Sequence, residues 1–366
     1  MGNSLAWFSS APQDDFPLVS EQINFNQSLG IQPNSPITLI RVSGKLENRT
    51  ESLALELEFD EPSATIKKLI RIDYKPRLPS GCLVEWYQDR TFKEKVLEDQ
   101  SFSDALYESL DIVLRHQKSP LETFEVNITV PDFYKSGSIM DDRQPVAVDL
   151  LNNIKKSLEF RRHPLQVKNL IVKESGGSQL LKILPFLDSA ILESIDIEDP
   201  RRAYDSYELP LVVILDQWKN ARKLRIENYK MVMSVEQLKH FDELHLDYWE
   251  FSVEDVVELK KAFLKSYDSK THWKLMLPEF TDNSKLQKEL IDKLGTPFHV
   301  VPTLLSKTIS KLSVFKTPEE GRKWFFKFEG AMEVLYIHLT SRHLSFEKIA
   351  MKDVPEEGRK FIQFDS

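Results

Sequence analysis

The sequence predicts an α/β fold in which an N-terminal antiparallel β-meander is followed by irregular, repeated strand–helix units. One observation behind this prediction is the alternation of apolar and polar residues from Ile37 to about Tyr87, which is the period of half-buried strands. Another is a short apolar pattern that recurs from Leu121 onward, mostly after helical segments. These patterns divide the chain into an irregular segment 1–36, a domain of antiparallel strands plus a helix 37–120, and a repeat-like α/β region 121–366.

The opening segment, residues 1–36, has no sustained hydrophobic period. Its four prolines stand among serine, asparagine and glutamine residues. Proline and small polar residues interrupt regular structure, so we expect an irregular or loosely docked chain here.

The region 37–120 is predicted to begin with short antiparallel strands. Alternation is clearest in two runs of apolar residues, Leu53, Leu55, Leu57, Phe59 and Ile70, Ile72, Tyr74. The polar segments 47–49, 60–62 and 79–81 separate such runs and are short enough to join antiparallel neighbours. A helix then follows, because a set of apolar residues recurs at helical spacing: Phe102, Leu106, Leu110, Val113.

The recurring pattern of region 121–366 consists of apolar residues at a first position, three residues later and two residues after that. Seven occurrences are present: Leu121/Phe124/Val126, Val167/Leu170/Val172, Leu192/Ile195/Ile197, Ala221/Leu224/Ile226, Phe241/Leu244/Leu246, His272/Leu275/Leu277, Met332/Leu335/Ile337. Parallel strands alternating with helices in this way are typical of leucine-rich-repeat solenoids, here irregular. A generic α/β domain whose core strands share the alternation is the alternative.

Helices between these strands have clear apolar faces and starts. Leu151, Ile154 and Leu158 form one stripe, and Val256, Leu259 and Phe263 form another. Three sets of residues have the spacing of an N-cap and its reciprocal partner: Ser234 with Gln237, Ser252 with Asp255, Thr317 with Pro318 and Glu320. We also read Leu211, Ile214 and Leu215 as a helical run that leads to Trp218 in the core.

Composition restricts the kinds of partner and compartment. Hydrophobic residues make up 41% and charged residues 29% of the chain, and the net charge is −8. A negative field repels nucleic acid and anionic membrane surfaces, so neither is an expected partner. Cys82 is the only cysteine, which fits a reducing compartment, and no apolar run is long enough to span a bilayer. We expect an intracellular protein, cytoplasmic or nuclear.

No motif in the sequence predicts catalysis, a cofactor or a metal. Phosphate-binding glycine loops are missing, and the whole chain has 11 glycines. His240 and His245 have no obvious third ligand, so a metal site is not predicted. Cys82 opens a predicted strand without basic surroundings and is read as a packed thiol. The protein is therefore expected to be non-enzymatic.

Several segments resemble the FTH domain of the nematode F-box A proteins. They are Ile183-Leu184-Pro185-Phe186-Leu187, Leu192-Glu193-Ser194-Ile195, Leu215-Asp216-Gln217-Trp218-Lys219, Ala221-Arg222-Lys223-Leu224, Phe241-Asp242-Glu243-Leu244 and Ser252-Val253-Glu254-Asp255-Val256. The resemblance implies a substrate adaptor. In that family an N-terminal F-box binds the Skp-type subunit of an SCF ubiquitin ligase, and the FTH domain is thought to hold the target.

The N-terminal part of the chain departs from this plan. Asp15-Phe16-Pro17-Leu18 matches the usual opening of an F-box, but the chain then continues through asparagine, glutamine and proline into strands instead of Leu-rich helices. A complete F-box is therefore not expected. Target recognition is the function that the resemblance implies for the remainder.

Our main hypothesis is a module that presents the outward side chains of its parallel strands to a protein ligand. The candidate partner-binding residues are Asp196, Glu198, Arg225, Glu227, His245, Asp247 and Met276. Charge reversal at Arg225 and Asp247 is expected to weaken ligand capture and leave thermal stability nearly unchanged. Two alternatives stay open: a divergent ligase adaptor that docks through Phe16-Pro17-Leu18, and an enzyme with its active site in a strand-end cleft.

Overall fold

The computed structural model describes much of the chain. The described residues are 36–47, 50–60, 67–88, 91–128, 144–173, 177–199, 206–207, 211–247, 251–266, 270–276, 283–299, 321–328, 330–340 and 342–364. The predicted irregular segment, apart from Pro36, and the predicted helix start at Thr317 lie outside these residues. The described residues form a mixed α/β structure, which confirms the predicted fold class in outline.

The chain forms two compact units. Unit 1 consists of Met1–Arg202 and Leu209–Ala221, and unit 2 consists of Ala203–Glu208 and Arg222–Ser366. Each unit has its own strands and helices, described in turn below.

Unit 1 contains strands β1 to β8. Their bounds are β1 Ile37–Glu47, β2 Thr50–Phe59, β3 Lys68–Pro76, β4 Cys82–Gln88, β5 Thr91–Leu97, β6 Leu121–Ile128, β7 Val167–Lys173 and β8 Ser194–Glu198. Their order is β8-β7-β6-β1-β2-β3-β4-β5. Neighbours from β1 to β5 are antiparallel, whereas the pairs β1–β6, β6–β7 and β7–β8 are parallel.

The helices of unit 1 are α1 Phe102–His116, α2 Gln144–Glu159 and α3 Asp216–Asn220. The helix predicted from Phe102 to Val113 is confirmed as α1, whose N-cap Ser101 accepts a hydrogen bond from Asp104 N. It packs on β2, β3, β4 and α2 and buries Leu106 and Leu110. Helix α1 thus covers one face of β2, β3 and β4. The opposite face carries charged side chains such as Glu56, Arg71 and Glu85.

Residues 211–215, which precede Trp218, do not form the helix that the sequence predicts. Trp218 is buried, but Leu211 and Ile214 are exposed in turns, and α3 begins only at Asp216. The spacing of three between Leu211 and Ile214 imitated a helical face. Leu215 is the N-cap of α3 and has extended backbone angles, φ −69° and ψ 146°, so the residues before it lie outside the helix.

Unit 2 contains strands β9 to β18 and helices α4 to α6. The strands are β9 Ser206–Tyr207, β10 Lys223–Glu227, β11 Lys230–Met231, β12 Glu243–Leu246, β13 His272–Met276, β14 Phe298–His299, β15 Arg322–Lys327, β16 Glu333–Leu339, β17 His343–Ala350 and β18 Ile362–Phe364. The helices are α4 Val235–Leu238, α5 Val253–Lys265 and α6 Asn283–Leu294.

Parallel and antiparallel pairing coexist in unit 2. The order is β14-β15-β16-β17-β13-β12-β10, with β18 beside β15 and a separate pair β9–β11. β10, β12 and β13 are parallel, but β13–β17, β17–β16 and β16–β15 are antiparallel. The seventh occurrence of the apolar pattern, Met332/Leu335/Ile337, reaches β16, which is antiparallel to both of its neighbours. Alternation reports which face is buried and not which way the strand runs.

Helix α5 supports the back of β13. The predicted capping boxes Ser234–Gln237 and Ser252–Asp255 are both present, at the starts of α4 and α5. The stripe of Val256, Leu259 and Phe263 is buried. The Phe263 ring meets Trp273 of β13 edge-on, with centroids 5.2 Å apart. This packing leaves the opposite face of β13 directed outward.

The C-terminal segment covers part of that outward face. Strand register puts Phe325, Tyr336, Glu347 and His272 in one row across β15, β16, β17 and β13. Over the β15–β16 end, Phe325 and Val334 pack with Val354 and with the partly buried Met351 and Ile362. Among the described residues, this face is therefore apolar at its β15–β16 end and polar on β10, β12 and β13.

Candidate protein-binding surface

The outward face of β10, β12 and β13, which we call the outward face of unit 2, follows from strict alternation. Leu224, Ile226, Leu244, Leu246, Trp273 and Leu275 are buried on the inner side. The residues between them are exposed or partly exposed. Parallel register sets Arg225 beside His245 and His245 beside Lys274. Side chains from three strands therefore stand in a common row.

Four of the predicted site residues form a charge cluster on this face. Arg225 Nη2 lies 2.6 Å from Glu227 Oε1. His245 Nε2 lies 3.6 Å from Glu227 Oε1 and 3.5 Å from Asp247 Oδ1. The structure thus brings Arg225, Glu227, His245 and Asp247 together, with His245 between two carboxylates.

Asp247 also stabilises the turn that leaves β10. Its Oδ2 accepts a hydrogen bond from Asn228 N at 3.1 Å. Asn228 has φ of 65°, a left-handed conformation that asparagine tolerates better than most residues. The carboxylate therefore connects the ends of β10 and β12, in addition to its charge on the surface.

A neighbouring row adds charges that the sequence analysis missed. Lys223 Nζ lies 2.7 Å from Glu243 Oε1, and His272 Nδ1 lies 3.5 Å from Glu347 Oε1. Lys223 and Glu243 could have been predicted, because they alternate with Arg225 along β10 and with His245 along β12. Glu347 could not have been found in this way, because it comes from the antiparallel β17.

The apolar pattern His272/Leu275/Leu277 fits β13 at Leu275 but not at His272. His272 stood at an apolar position of the pattern, but the buried residues are Trp273 and Leu275. His272, Lys274 and Met276 consequently share the outward side, and Met276 lies opposite His343 of β17. Lys274 is a surface residue that the sequence analysis did not single out.

The turn before β12 is held by buried donors. Lys270 Nζ donates to the carbonyl oxygens of Lys239 and Phe241, at 2.6 and 3.1 Å. Trp273 Nε1 donates to the same Phe241 oxygen at 3.1 Å. Burial lowers the pKa of Lys270, with Asp242 acting in the opposite direction. These bonds fix the entry into β12 and hence the position of His245.

The remaining predicted residues, Asp196 and Glu198, lie on β8 of unit 1. Glu198 Oε2 is 3.0 Å from Lys173 Nζ of β7. The Glu198 hydrogen bond raises the pKa of Lys173 against the opposing effect of burial. Asp196 lies opposite Ile171 in the strand register.

Cys82 is buried, and burial raises the pKa of its thiol to about 12. In the part of the chain that the structure describes, no three side chains of His, Cys, Asp or Glu are placed to hold a metal ion. None of the described helices is long and apolar enough to cross a membrane.

Comparison with known proteins identifies one related region. Residues 148–277 match the family model of the FTH domain. No curated protein and no solved structure matches the chain. The matched stretch runs from α2 to β13 and includes all seven predicted partner-binding positions. Residues 148–277 are thus similar in sequence to the FTH domain.

Proposed function

We propose that this protein is a non-enzymatic recognition module that binds a protein ligand through the outward face of unit 2. The observation behind this proposal is the parallel register of β10, β12 and β13, which aligns Arg225, His245 and Lys274 in one row. Ordered strands fix these groups before a ligand arrives, so binding costs less conformational entropy.

The charge pattern of the face favours a protein ligand over nucleic acid. Arg225 and Lys274 are the cations of one row, and Glu227 and Asp247 are the anions of the next. A phosphate backbone selects surfaces with an excess of Lys and Arg. Interleaved charges suit a protein surface with a complementary arrangement.

The proposal includes the repeat-like interpretation of this region. Parallel neighbours β6–β7–β8 in unit 1 and β10–β12–β13 in unit 2 support it. In a solenoid, alternate positions of such strands form an extended binding surface. The similarity to the FTH domain supports a role like that of the target-binding part of an F-box adaptor.

The test compares Arg225→Glu with Lys261→Glu as a matched control. Arg225 and Lys261 have similar side-chain exposure, 53% and 57%, and each pairs with a glutamate of its own element. Lys261 lies on α5, away from the outward face. Ligands retained by the immobilised full chain would be purified and titrated against each variant by calorimetry.

We expect Arg225→Glu to weaken binding of such a ligand about tenfold or more, since a repulsive contact replaces an attractive one. Lys261→Glu should bind like the unaltered protein. Thermal unfolding should be similar for all three chains, because exposed ion pairs contribute about 0–1 kcal/mol. If the two variants bound the ligand with equal affinity, the outward face of unit 2 would not be its binding site.

A second proposal, supported by the sequence Phe16-Pro17-Leu18, is that the protein docks to an SCF ubiquitin ligase. Calorimetry of the full chain with a purified Skp-type subunit tests it, with a chain of residues 37–366 as control. Binding that disappears in the shortened chain would identify a divergent adaptor. Binding by neither chain would leave a recognition domain that acts without the ligase.

A further inference from the structure

Strand β5 of unit 1 presents an edge that the proposed function does not use. Among the described residues it is the last strand of its sheet, paired only with β4. Every second residue of an edge strand directs its N–H and C=O away from the sheet, toward any strand that arrives. β5 lies outside the residues similar to the FTH domain.

Apolar side chains line one side of this edge. Phe92 is 52% exposed and Val96 is 38% exposed. The Phe92 ring lies beside Tyr87 of β4, with centroids 5.2 Å apart, and Tyr87 is itself exposed. An added strand could cover these side chains and remove apolar surface from water.

The other side of the edge is basic. Alternation puts Lys93 and Lys95 on the face opposite to Phe92 and Val96. Lys93 Nζ lies 5.5 Å from the centre of the Trp86 ring. Partial burial lowers the pKa of Lys95, and a facing carboxylate would counteract this effect.

A second copy of this chain is a poor occupant for the edge. In the antiparallel registers centred on Lys93, Glu94 or Lys95, identical charges come face to face. The register centred on Glu94 also sets each Lys93 against a Lys95. Like charges directly opposite one another destabilise strand pairing. Self-association through β5 is thereby disfavoured, which is a common protection of exposed edges.

We infer that β5 binds an extended segment of a partner protein as an added antiparallel strand, in which acidic residues face Lys93 and Lys95 and apolar residues face Phe92 and Val96. Glu94 lies on the same side as Phe92 and Val96, between them, and favours a basic residue opposite it. The complementary order is apolar, acidic, basic, acidic, apolar. Backbone hydrogen bonds supply affinity in such a complex, and the alternate side chains supply specificity.

The test uses fluorescence anisotropy of labelled peptides with the full chain. The complementary probe is Thr-Val-Glu-Lys-Glu-Phe-Thr, and the comparison probe is the β5 sequence itself, Thr-Phe-Lys-Glu-Lys-Val-Leu, with both ends blocked. We expect the complementary probe to bind about tenfold more tightly, since its two acidic residues face lysines. Equal binding of the two probes, or binding of neither, would overturn the inference.

A charge exchange on the protein makes the test stricter. The double variant Lys93→Glu/Lys95→Glu should prefer the β5-sequence probe, and its circular dichroism spectrum reports whether it folds. A third probe has the complementary sequence with alternate backbone amides N-methylated along the pairing edge, and needs no change in the protein. Undiminished binding of this probe would show that no strand is added. Because all these measurements concern unit 1, they can fail while the proposal for unit 2 stands.

Discussion

Asp247 shows how one side chain can belong to both a surface and a turn. Its Oδ1 faces His245, while its Oδ2 accepts the hydrogen bond of Asn228 N. Arg225 contacts the carboxylate of Glu227, two residues along the same strand. Because the Asp247 carboxylate holds the turn at Asn228, we expect its substitution to lower stability, which differs from the sequence-based expectation for this residue.

Substitutions at Asp247 should separate these two roles. Asp247→Ala leaves Asn228 N without its acceptor and should lower the free energy of unfolding by about 1 kcal/mol. Asp247→Asn keeps an acceptor oxygen and should lower it much less. Urea titration of both variants measures the difference. Equal losses would mean that the charge of Asp247, and not its hydrogen bond, stabilises the turn.

At the scale of elements, ion pairs join neighbouring strands on the charged face of unit 1. Glu56 of β2 lies 2.6 Å from Arg41 of β1 and 3.1 Å from Arg71 of β3. Lys75 of β3 lies 2.6 Å from Glu85 of β4, which also accepts a hydrogen bond from Tyr87. Burial acts to raise the pKa of Glu85, but the bonds from Lys75 and Tyr87 outweigh it and leave the pKa lowered.

The lowered pKa of Glu85 makes the β3–β4 connection dependent on pH. A depressed carboxyl pKa stabilises the fold above the ordinary glutamate value, 4.5, and this contribution is lost as the pH falls through the folded-state pKa. Lys75→Gln should therefore lower the free energy of unfolding at pH 7, by less than about 1 kcal/mol because Lys75 is partly exposed. The difference should shrink below pH 4.5.

Urea unfolding at several pH values checks this prediction. Lys352→Gln, at an exposed position in unit 2, is the matched control and should behave like the unaltered protein at every pH. A difference for Lys75→Gln that stays constant down to acid pH would contradict the role assigned to Glu85.

Element positions were more predictable than element directions. The apolar stripes that became α1 and α5 could be found because a helix buries residues at a spacing that few other structures share. The antiparallel course of β16 could not be found, since parallel and antiparallel strands bury alternate residues in the same way. Lys274 was missed because the outward residue was read between the second and third apolar positions of the pattern, here Met276, and not before the second position.

At the scale of the whole molecule, the candidate surface could be anticipated only in part. Arg225, Glu227, His245 and Asp247 follow from alternation within single strands, and the structure brings them together. Glu347 joins the same face only through the pairing of β13 with β17, between residues far apart in sequence. Such distant pairings leave no periodic trace in a single chain.

The pairing of β9 with β11 has a consequence for any attempt to divide the protein. β9 belongs to unit 2, but the chain on either side of it, up to Arg202 and from Leu209 to Ala221, belongs to unit 1. No single cleavage of the backbone can therefore yield two complete units. A cut after Ala221 removes the partner of β11 from the C-terminal fragment, and a cut before Ala203 removes α3 and Trp218 from the N-terminal one. At either cut, one recombinant half would need a segment grafted from the other.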